Sequence, residues 1–254
     1  MSYYPPKKKH RWVGPVVVLT VLIGLVVAAF FVAEKLARDA AGGVISRPIQ
    51  SALESTSKVH VDLGPGLFLV QAAGGRLDAV TISTEGLPVG EGTASLVLDT
   101  VGLPLDMGGT VDSVHATLSL DAVAMQSVVP AGSTVAFAGG QFVVSSQADL
   151  GGVATPVDLT ITPTATEGLV TLEVTEVAVN GAVVSLDDVR NGAYGPSAAA
   201  LVAPAPLCVN PYLPAALTLS SAKVVGQNLV LGFDGKAVKL GSLSTKGTCA
   251  EPVA

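Results

Sequence analysis

A single apolar run near the start of the chain interrupts an otherwise mixed pattern of polar and apolar positions. It extends from Val13 to Val32, 20 residues without a charge. At about 1.5 Å of rise per residue, a helix over this run spans roughly the 30 Å of a bilayer core. The run is preceded by the basic residues Lys7, Lys8, Lys9 and Arg11. The positive-inside rule therefore predicts a cytoplasmic N-terminus and an extracytoplasmic remainder.

The apolar run is predicted to be an uncleaved signal anchor. A cleaved signal peptide is the alternative, but its apolar core is about 7–15 residues long and ends at a small-x-small site. Residues 33–37 offer no clean site of that kind. The predicted organisation is a cytoplasmic tail (1–12), a transmembrane helix (13–32), a helical juxtamembrane segment (33–57) and an extracytoplasmic domain (58–254). Gly42-Gly43 is a candidate hinge in the juxtamembrane segment, for which a flexible linker is the other interpretation.

Beyond residue 58 the apolar period changes to two, which predicts half-buried strands. The predicted strands are 59–63, 77–83, 94–101, 111–119, 134–138, 142–146, 157–162, 168–174, 176–179, 183–186, 217–225, 228–233 and 237–240. Asn180-Gly181 and Asp234-Gly235 are predicted to be tight turns. Residues 195–214, rich in Pro and Ala, are expected to hold a short helix at most.

Two short helices interrupt this pattern. Residues 67–73 precede Gly74-Gly75, which fits a glycine C-cap, and Asp121 is a candidate N-cap for a helix through Val129. The fold class that follows is α+β, mostly β, with the strands in an antiparallel meander.

The charge of the predicted outer portion is unbalanced. It holds ten Lys and Arg against all 20 Asp and Glu, a formal charge of −10. This balance argues against nucleic acid as a partner and against electrostatic adhesion of the domain to anionic lipid. Few aromatic and charged residues, 4% and 13%, accompany abundant aliphatic ones. An ordinary β core and a lipid-filled cavity both fit that composition.

Cys208 and Cys249 are the two cysteines, and both follow the predicted span. In an oxidising compartment such a pair predicts a disulfide, with two free thiols as the alternative. Neither His60 nor His115 has ligand-like spacing to a cysteine, so no metal site and no cofactor are expected.

Catalytic motifs are not found. There is no Gly-x-Ser-x-Gly, no phosphate-cradling Gly-x-x-x-x-Gly-Lys and no His-Glu-x-x-His in the sequence. His60 and His115 lie on alternating strands, where a solvent-facing side chain is the expected state. Asp187-Asp188 precedes Arg190 and fits a solvated turn better than an acid/base pair. The chain is therefore predicted not to be an enzyme.

The segment from Leu67 to Ile82 is the most distinctive part of the domain. Its short apolar helix contains Phe68, Leu69 and Ala72, and Gly-Gly-Arg leads into an amphipathic strand. One interpretation is structural: a helix docked on a sheet, with Arg76 bonding the last helical carbonyls. The functional one is that the apolar residues line a cavity and Arg76 meets a phosphate at its mouth.

At these residues the chain resembles the LmeA-like phospholipid-binding proteins of actinobacteria. The family pattern Phe-Leu-x-Gln-x-x-x-Gly-Arg-Leu-x-x-Val falls on Phe68, Leu69, Gln71, Gly75, Arg76, Leu77 and Val80. The resemblance extends over about residues 45–240 and includes the helix at 121–129. A late element follows at Leu213, Pro214, Leu217, Leu219 and Val224. The Gly-Gly before Arg76 and the scarcity of aromatic residues depart from the pattern.

The resemblance implies a curved antiparallel sheet wrapped around a helix, similar to tubular lipid-binding domains. It also implies a phospholipid or other acyl lipid held in an apolar groove, with Phe68, Leu69, Ala72, Arg76 and Leu77 as candidate contacts. A role in envelope lipoglycan maintenance (lipomannan-type), beside envelope biosynthesis proteins, would follow. The alternative is a non-catalytic scaffold domain of the cell envelope with a dry core.

Overall fold

The computed structural model describes residues 24, 26–43, 59–89, 91–106, 108–126, 129, 131–149, 153–166, 168–192, 194, 198–199, 202–203, 205–208, 210, 214–242 and 245–248. Most of the predicted span, the basic tail, residues 44–57 of the juxtamembrane segment, Leu213 and Cys249 lie outside these ranges. No helix within the described part of the chain is long and apolar enough to cross a membrane.

The described residues include four α-helices and twelve strands. The helices are α1 (26–43), α2 (Phe68–Ala73), α3 (Ala122–Gln126) and α4 (Leu186–Arg190). The strands are β1 (Val59–Asp62), β2 (Arg76–Val89), β3 (Gly92–Pro104), β4 (Thr110–Asp121), β5 (Thr134–Ala138), β6 (Gln141–Asp149), β7 (Ala154–Thr166), β8 (Leu169–Val179), β9 (Ala182–Val184), β10 (Ala205–Cys208), β11 (Thr218–Val225) and β12 (Asn228–Lys239).

These strands build two antiparallel sheets. Sheet A has the order β1-β2-β3-β4-β12-β11, and sheet B has the order β10-β8-β7-β6-β5, with β9 added beside β8. The prediction of a mostly β, antiparallel fold is confirmed. The implied single sheet around a helix is wrong for the described residues, where α2, α3 and α4 have only five or six residues each. Such helices are too short to cover a long sheet, and the apolar face of sheet B covers one end of sheet A instead.

The largest core cluster lies between the two sheets. Phe142, Ile161 and Val174 of sheet B pack in the same cluster as Leu231 and Phe233 of sheet A. Strand β11 comes close to sheet B, chiefly at β7. A second, smaller cluster joins Leu63, Leu77 and Val80 to Ala41 of α1 and Phe68 of α2. One end of sheet A is thus covered by sheet B and the other by the helices.

Local signals predicted most of the boundaries. Asn180 and Gly181 form the turn between β8 and β9 with φ values of 53° and 78°, the left-handed region that Asn-Gly turns require. Asp121 caps α3, since its Oδ1 accepts the backbone N–H of Ala124 at 2.6 Å.

Three predictions were wrong. Asp234-Gly235 is not a turn but the middle of β12, where the two residues pair with His115 and Val114 of β4. The predicted strands 168–174 and 176–179 are one strand, β8, with an irregularity at Thr175: Thr160 and Ile161 of β7 pair with Glu176 and Val174. The segment 195–214 contains a strand, β10, which pairs with β8. In each case long-range pairing overrides the local turn or loop signal.

Candidate functional site

A row of apolar side chains crosses all six strands of sheet A at one register. Its members, in strand order, are Val61, Ile82, Leu98, Ala116, Phe233 and Leu219. Alternate residues of a strand point to opposite faces, so the whole row lies on one face, here called the inner face. Ala116, Phe233 and Leu219 are buried against sheet B, whereas Val61, Ile82 and Leu98 are only partly buried. This row of the inner face is therefore apolar from end to end but tightly covered at only part of its width.

The neighbouring register is polar and lies on the opposite, outer face. Its members are Asp62, Thr81, Asp99, His115, Asp234 and Thr218. Thr81 donates to Asp99 Oδ1 at 2.6 Å, and His115 Nδ1 lies 2.6 Å from Asp234 Oδ1. The contrast between the two registers separates a solvated face from one that must be covered by apolar groups.

The inner face carries one buried hydroxyl without a partner. Thr84, opposite Val59 in β1 and Leu96 in β3, is 4% exposed. Its Oγ1 has no hydrogen-bond partner among the described residues, whereas Thr100 on the same face donates to the Val80 carbonyl at 3.0 Å. A buried hydroxyl without a partner costs roughly 1–3 kcal/mol, so Thr84 is a site where a ligand oxygen would be stabilising.

A groove of about 390 Å³ lies between α1 and β1 at the edge of sheet A. Its lining alternates between apolar Val59, Val61 and Leu63 and polar His60 and Asp62, with Arg38, Asp39 and Gly42 on the helix side. Val59 and Val61 also begin the inner-face rows that contain Thr84 and Ile82. The groove thus joins a partly charged opening to the apolar inner face.

The end of the core enclosed by sheet B is closely packed. A cavity bounded by β7, β8, α4 and Tyr194 has a volume of about 10 Å³, room for roughly one water molecule. An acyl chain does not fit there without movement of the sheet. Space for a ligand is better sought along the partly buried middle of the inner face.

Helix α1 is fastened to the domain through a carboxylate. Glu34, 7% exposed, accepts the backbone N–H of Phe68 at 2.5 Å and of Leu69 at 2.9 Å. These N–H groups open α2, whose own N-cap residue, Leu67, supplies no side-chain hydrogen bond. The N–H of Leu69, with further help from Phe68 and Arg38, lowers the pKa of Glu34.

Arg38 completes this attachment one turn further along α1. Its Nη1 donates to the Gly64 carbonyl at 2.7 Å, its Nη2 donates to the Gly66 carbonyl, and it pairs with Glu34 at 3.3 Å. Ala41, on the next turn, packs against the cluster of Leu63, Leu77 and Val80. Three successive turns of α1 therefore contact the domain, which disfavours a flexible linker over residues 34–41.

The structure brings the predicted lipid-contact residues together but gives them different environments. Phe68, Leu69 and Ala72 are partly buried on α2, and Phe68 packs on the small cluster. Leu77 is 1% exposed and belongs to that cluster, so it is a core residue in this state.

Arg76 forms an ion pair with Asp112. Its Nη2 lies 2.5 Å from Asp112 Oδ1, and both side chains are substantially exposed. Gly102, with φ of 65°, leaves the space that the pair fills, because a Cβ there would collide with both side chains. Arg76 contacts β4 in this way rather than the C-terminal carbonyls of α2 that the structural interpretation expected.

Glu34, Arg38 and Thr84 were not recognised from the sequence. The one available signal for the first two is a Glu-Arg pair at i, i+4 directly after the apolar run. Gln71, known only as a motif position, proves to bridge two segments: its Nε2 donates to the Pro65 carbonyl, and its Oε1 accepts the Asp78 N–H at 3.0 Å.

The histidines and acids of sheet A offer a different chemistry on the outer face. His115 Nε2 lies 3.4 Å from Thr117 Oγ1, and its other ring nitrogen contacts Asp234. The hydroxyl of Ser220, followed by His115, lowers the pKa of Asp234. His115 and Asp234 are each about half exposed on an open sheet face. No group of three or more His, Cys, Asp or Glu within the described ranges is placed to hold a metal ion.

Comparison with known proteins identifies a family. No curated protein matches the chain significantly, and no solved structure does. The family described as LmeA-like phospholipid-binding matches residues 32–233, well over half of the chain. That match begins at the last residue of the apolar run and ends in β12. The chain belongs to the LmeA-like phospholipid-binding family.

Proposed function

We propose that this chain is a membrane-anchored, extracytoplasmic protein that holds phospholipid acyl chains on the inner face of sheet A. The observation that carries the proposal is the apolar row from Val61 to Leu219, which is only partly covered at Ile82 and Leu98. Soluble domains rarely leave a wide apolar face incompletely covered unless something binds there. Phospholipid is the ligand class that the family indicates.

In this proposal the lipid enters through the groove between α1 and β1. The acyl chain passes Val59 and continues along the inner face, and an ester oxygen accepts a hydrogen bond from Thr84. Each buried CH₂ contributes about 0.8 kcal/mol before ordering costs, so apolar lining suffices for useful affinity. The polar side chains of Arg38, His60 and Asp62 at the opening suit a polar headgroup.

The described end of the predicted anchor supports its place in a membrane. Val26, Phe30, Phe31 and Val32 are exposed on α1, on more than one side of the helix, and the first buried residue is Glu34. A helix segment that is apolar all round is suited to lipid. We place the domain outside the cytoplasm on the basis of the basic residues before the run, and we propose support of envelope lipid or lipoglycan maintenance as its role.

A scaffold domain with a dry core is the second candidate. It is favoured by the close packing between β7, β8 and α4, where the cavity holds about one water molecule. A scaffold role does not explain the partly covered inner face or the hydroxyl of Thr84 without a partner. Neither candidate requires a cofactor, a metal or a catalytic step.

Native mass spectrometry of the full chain tests the proposal through a pair of tryptophan variants in β3. Leu98→Trp fills the inner face, whereas Val101→Trp places the same side chain on the outer face, where Val101 is exposed. We expect the wild type and Val101→Trp to retain phospholipid after detergent removal in the gas phase, and Leu98→Trp to lose it.

Circular dichroism establishes that both variants are folded, and Ile82→Phe provides a smaller change on the adjacent strand. Equal retention of phospholipid by the wild type, Leu98→Trp and Ile82→Phe would contradict the proposal. Absence of bound phospholipid from the wild type as well would favour the scaffold.

A further inference from the structure

The attachment of α1 fixes the height of α2 above the predicted span. Val32 ends the apolar run, and Glu34, two residues later, bonds the first N–H groups of α2. Two residues of helix correspond to roughly 3 Å. The start of α2 therefore lies at about the level where the apolar run ends, while Arg38 and Ala41 contact Gly64 and the small cluster further from it.

Two large apolar side chains at this level remain substantially exposed in the described part of the domain. Leu67, the N-cap residue of α2, is 40% exposed, and Val70, in the first turn, is 59% exposed. The two residues are three positions apart, so both lie at the N-terminal end of α2. Large apolar side chains at the height of a bilayer surface gain free energy by entering it.

We propose that Leu67 and Val70 form a docking surface that inserts into the extracytoplasmic face of the bilayer crossed by the chain's own anchor. The occupant is the lipid surface, because the hydrogen bonds of Glu34 make this face continuous with the anchor helix. The Glu34–Arg38 attachment keeps the domain from swinging away, and the groove between α1 and β1 stays beside the bilayer. This inference rests on the proposed anchoring and goes beyond the proposed lipid site.

Fluorescence quenching by lipids with brominated acyl chains tests the docking in full-length protein reconstituted into phospholipid vesicles. The chain has a single tryptophan, Trp12, so a Trp12→Phe background leaves each introduced tryptophan as the only one. Leu67→Trp and Val70→Trp probe the docking surface. Val183→Trp, at an exposed position of β9 in sheet B, is the matched control.

We expect blue-shifted emission and strong quenching for Leu67→Trp and Val70→Trp, and red, unquenched emission for Val183→Trp. Adding Glu34→Gln should reduce the quenching of Leu67→Trp toward that of the control. Quenching at Leu67 and Val70 no stronger than at Val183 would overturn the docking.

Phe30→Trp, on the exposed apolar part of α1, distinguishes failure of the docking alone from failure of the proposed anchoring. If Phe30→Trp is quenched while the α2 probes are not, the anchor stands and the docking is wrong. If Phe30→Trp is also unquenched, the anchoring itself is wrong, and the docking fails with it.

Discussion

Glu34 accepts the backbone N–H of Leu69 at 2.9 Å, across 35 positions of sequence. A helix that ordinarily would be capped by its own preceding residue is capped here by the helix that leads out of the predicted span. The bond ties the position of the anchor to that of α2 and, through Phe68 and Leu77, to the end of sheet A. Anchor, helix and sheet edge are in this way one structural unit.

Replacing Glu34 with Gln is predicted to loosen the start of α2. The neutral amide accepts hydrogen bonds more weakly and does not pair with Arg38, so the N–H groups of Phe68 and Leu69 should exchange with solvent faster. Hydrogen exchange monitored by mass spectrometry on peptides covering α2 measures this. Asp39→Asn, on the same helix, is the control and should leave the exchange of α2 unchanged.

The same bond predicts a pH dependence. The pKa of Glu34 is lowered in the folded protein from an ordinary 4.5, chiefly by the Leu69 N–H. Its stabilising effect is therefore complete above pH 4.5 and is lost as the pH falls through the lower, folded value. Protection of α2 should decline on acidification in the wild type but not in Glu34→Gln. An equal decline in both proteins would assign it to another group.

Thr84→Val is predicted to change stability and lipid binding in opposite directions. Valine keeps the shape of threonine and removes a buried hydroxyl without a partner, so the lipid-free protein should gain about 1 kcal/mol in free energy of unfolding. Phospholipid retention should fall, because the proposed ester hydrogen bond is lost. Chemical denaturation and lipid analysis measure the two effects. Unchanged retention would remove Thr84 from the site.

The ion pair between Arg76 and Asp112 allows a test of whether Arg76 binds a headgroup phosphate. As an exposed ion pair it should contribute no more than about 1 kcal/mol to stability. If Arg76 meets a headgroup phosphate, Asp112→Asn frees its guanidinium and should strengthen binding of anionic phospholipid. Adding Arg76→Gln should cancel the gain. Vesicle titration with phosphatidylglycerol measures it, and no gain in Asp112→Asn would leave Arg76 a purely structural role.

The disulfide between Cys208 and Cys249 stays a prediction, and neighbouring contacts support it. Asn210 Nδ2 donates to the Thr248 carbonyl at 3.4 Å, so residues close to each cysteine meet. Closing a loop of about 40 residues should stabilise the protein by about 4 kcal/mol. Thiol titration under denaturing conditions should detect thiols only after reduction. Cys208→Ser should lower the free energy of unfolding, whereas two titratable thiols without reductant would contradict the pairing.

Local pattern accounts for much of the fold and little of the candidate site. Alternation in Val59–Asp62 and the Asp121 cap lead directly to β1 and α3, because both signals are satisfied within a few residues. Asp234-Gly235 looks like a turn locally, and only its pairing with β4 makes it strand. The role of Glu34 depends on hydrogen bonds to residues more than 30 positions away. The role of Thr84 depends on the lack of a hydrogen-bond partner in the folded sheet, which the neighbouring sequence does not reveal.

The central claim is that an acyl chain lies between the inner face of sheet A and its cover. Photo-crosslinking of the full chain in membranes, with a phospholipid that carries a diazirine near the end of one acyl chain, tests it most directly. Adducts located by peptide mass spectrometry are predicted on Ile82, Leu96 and Leu98, which the bilayer itself does not reach, and not on Thr81 or Asp99 of the outer face. Adducts confined to residues 13–32 and α2 would contradict the account.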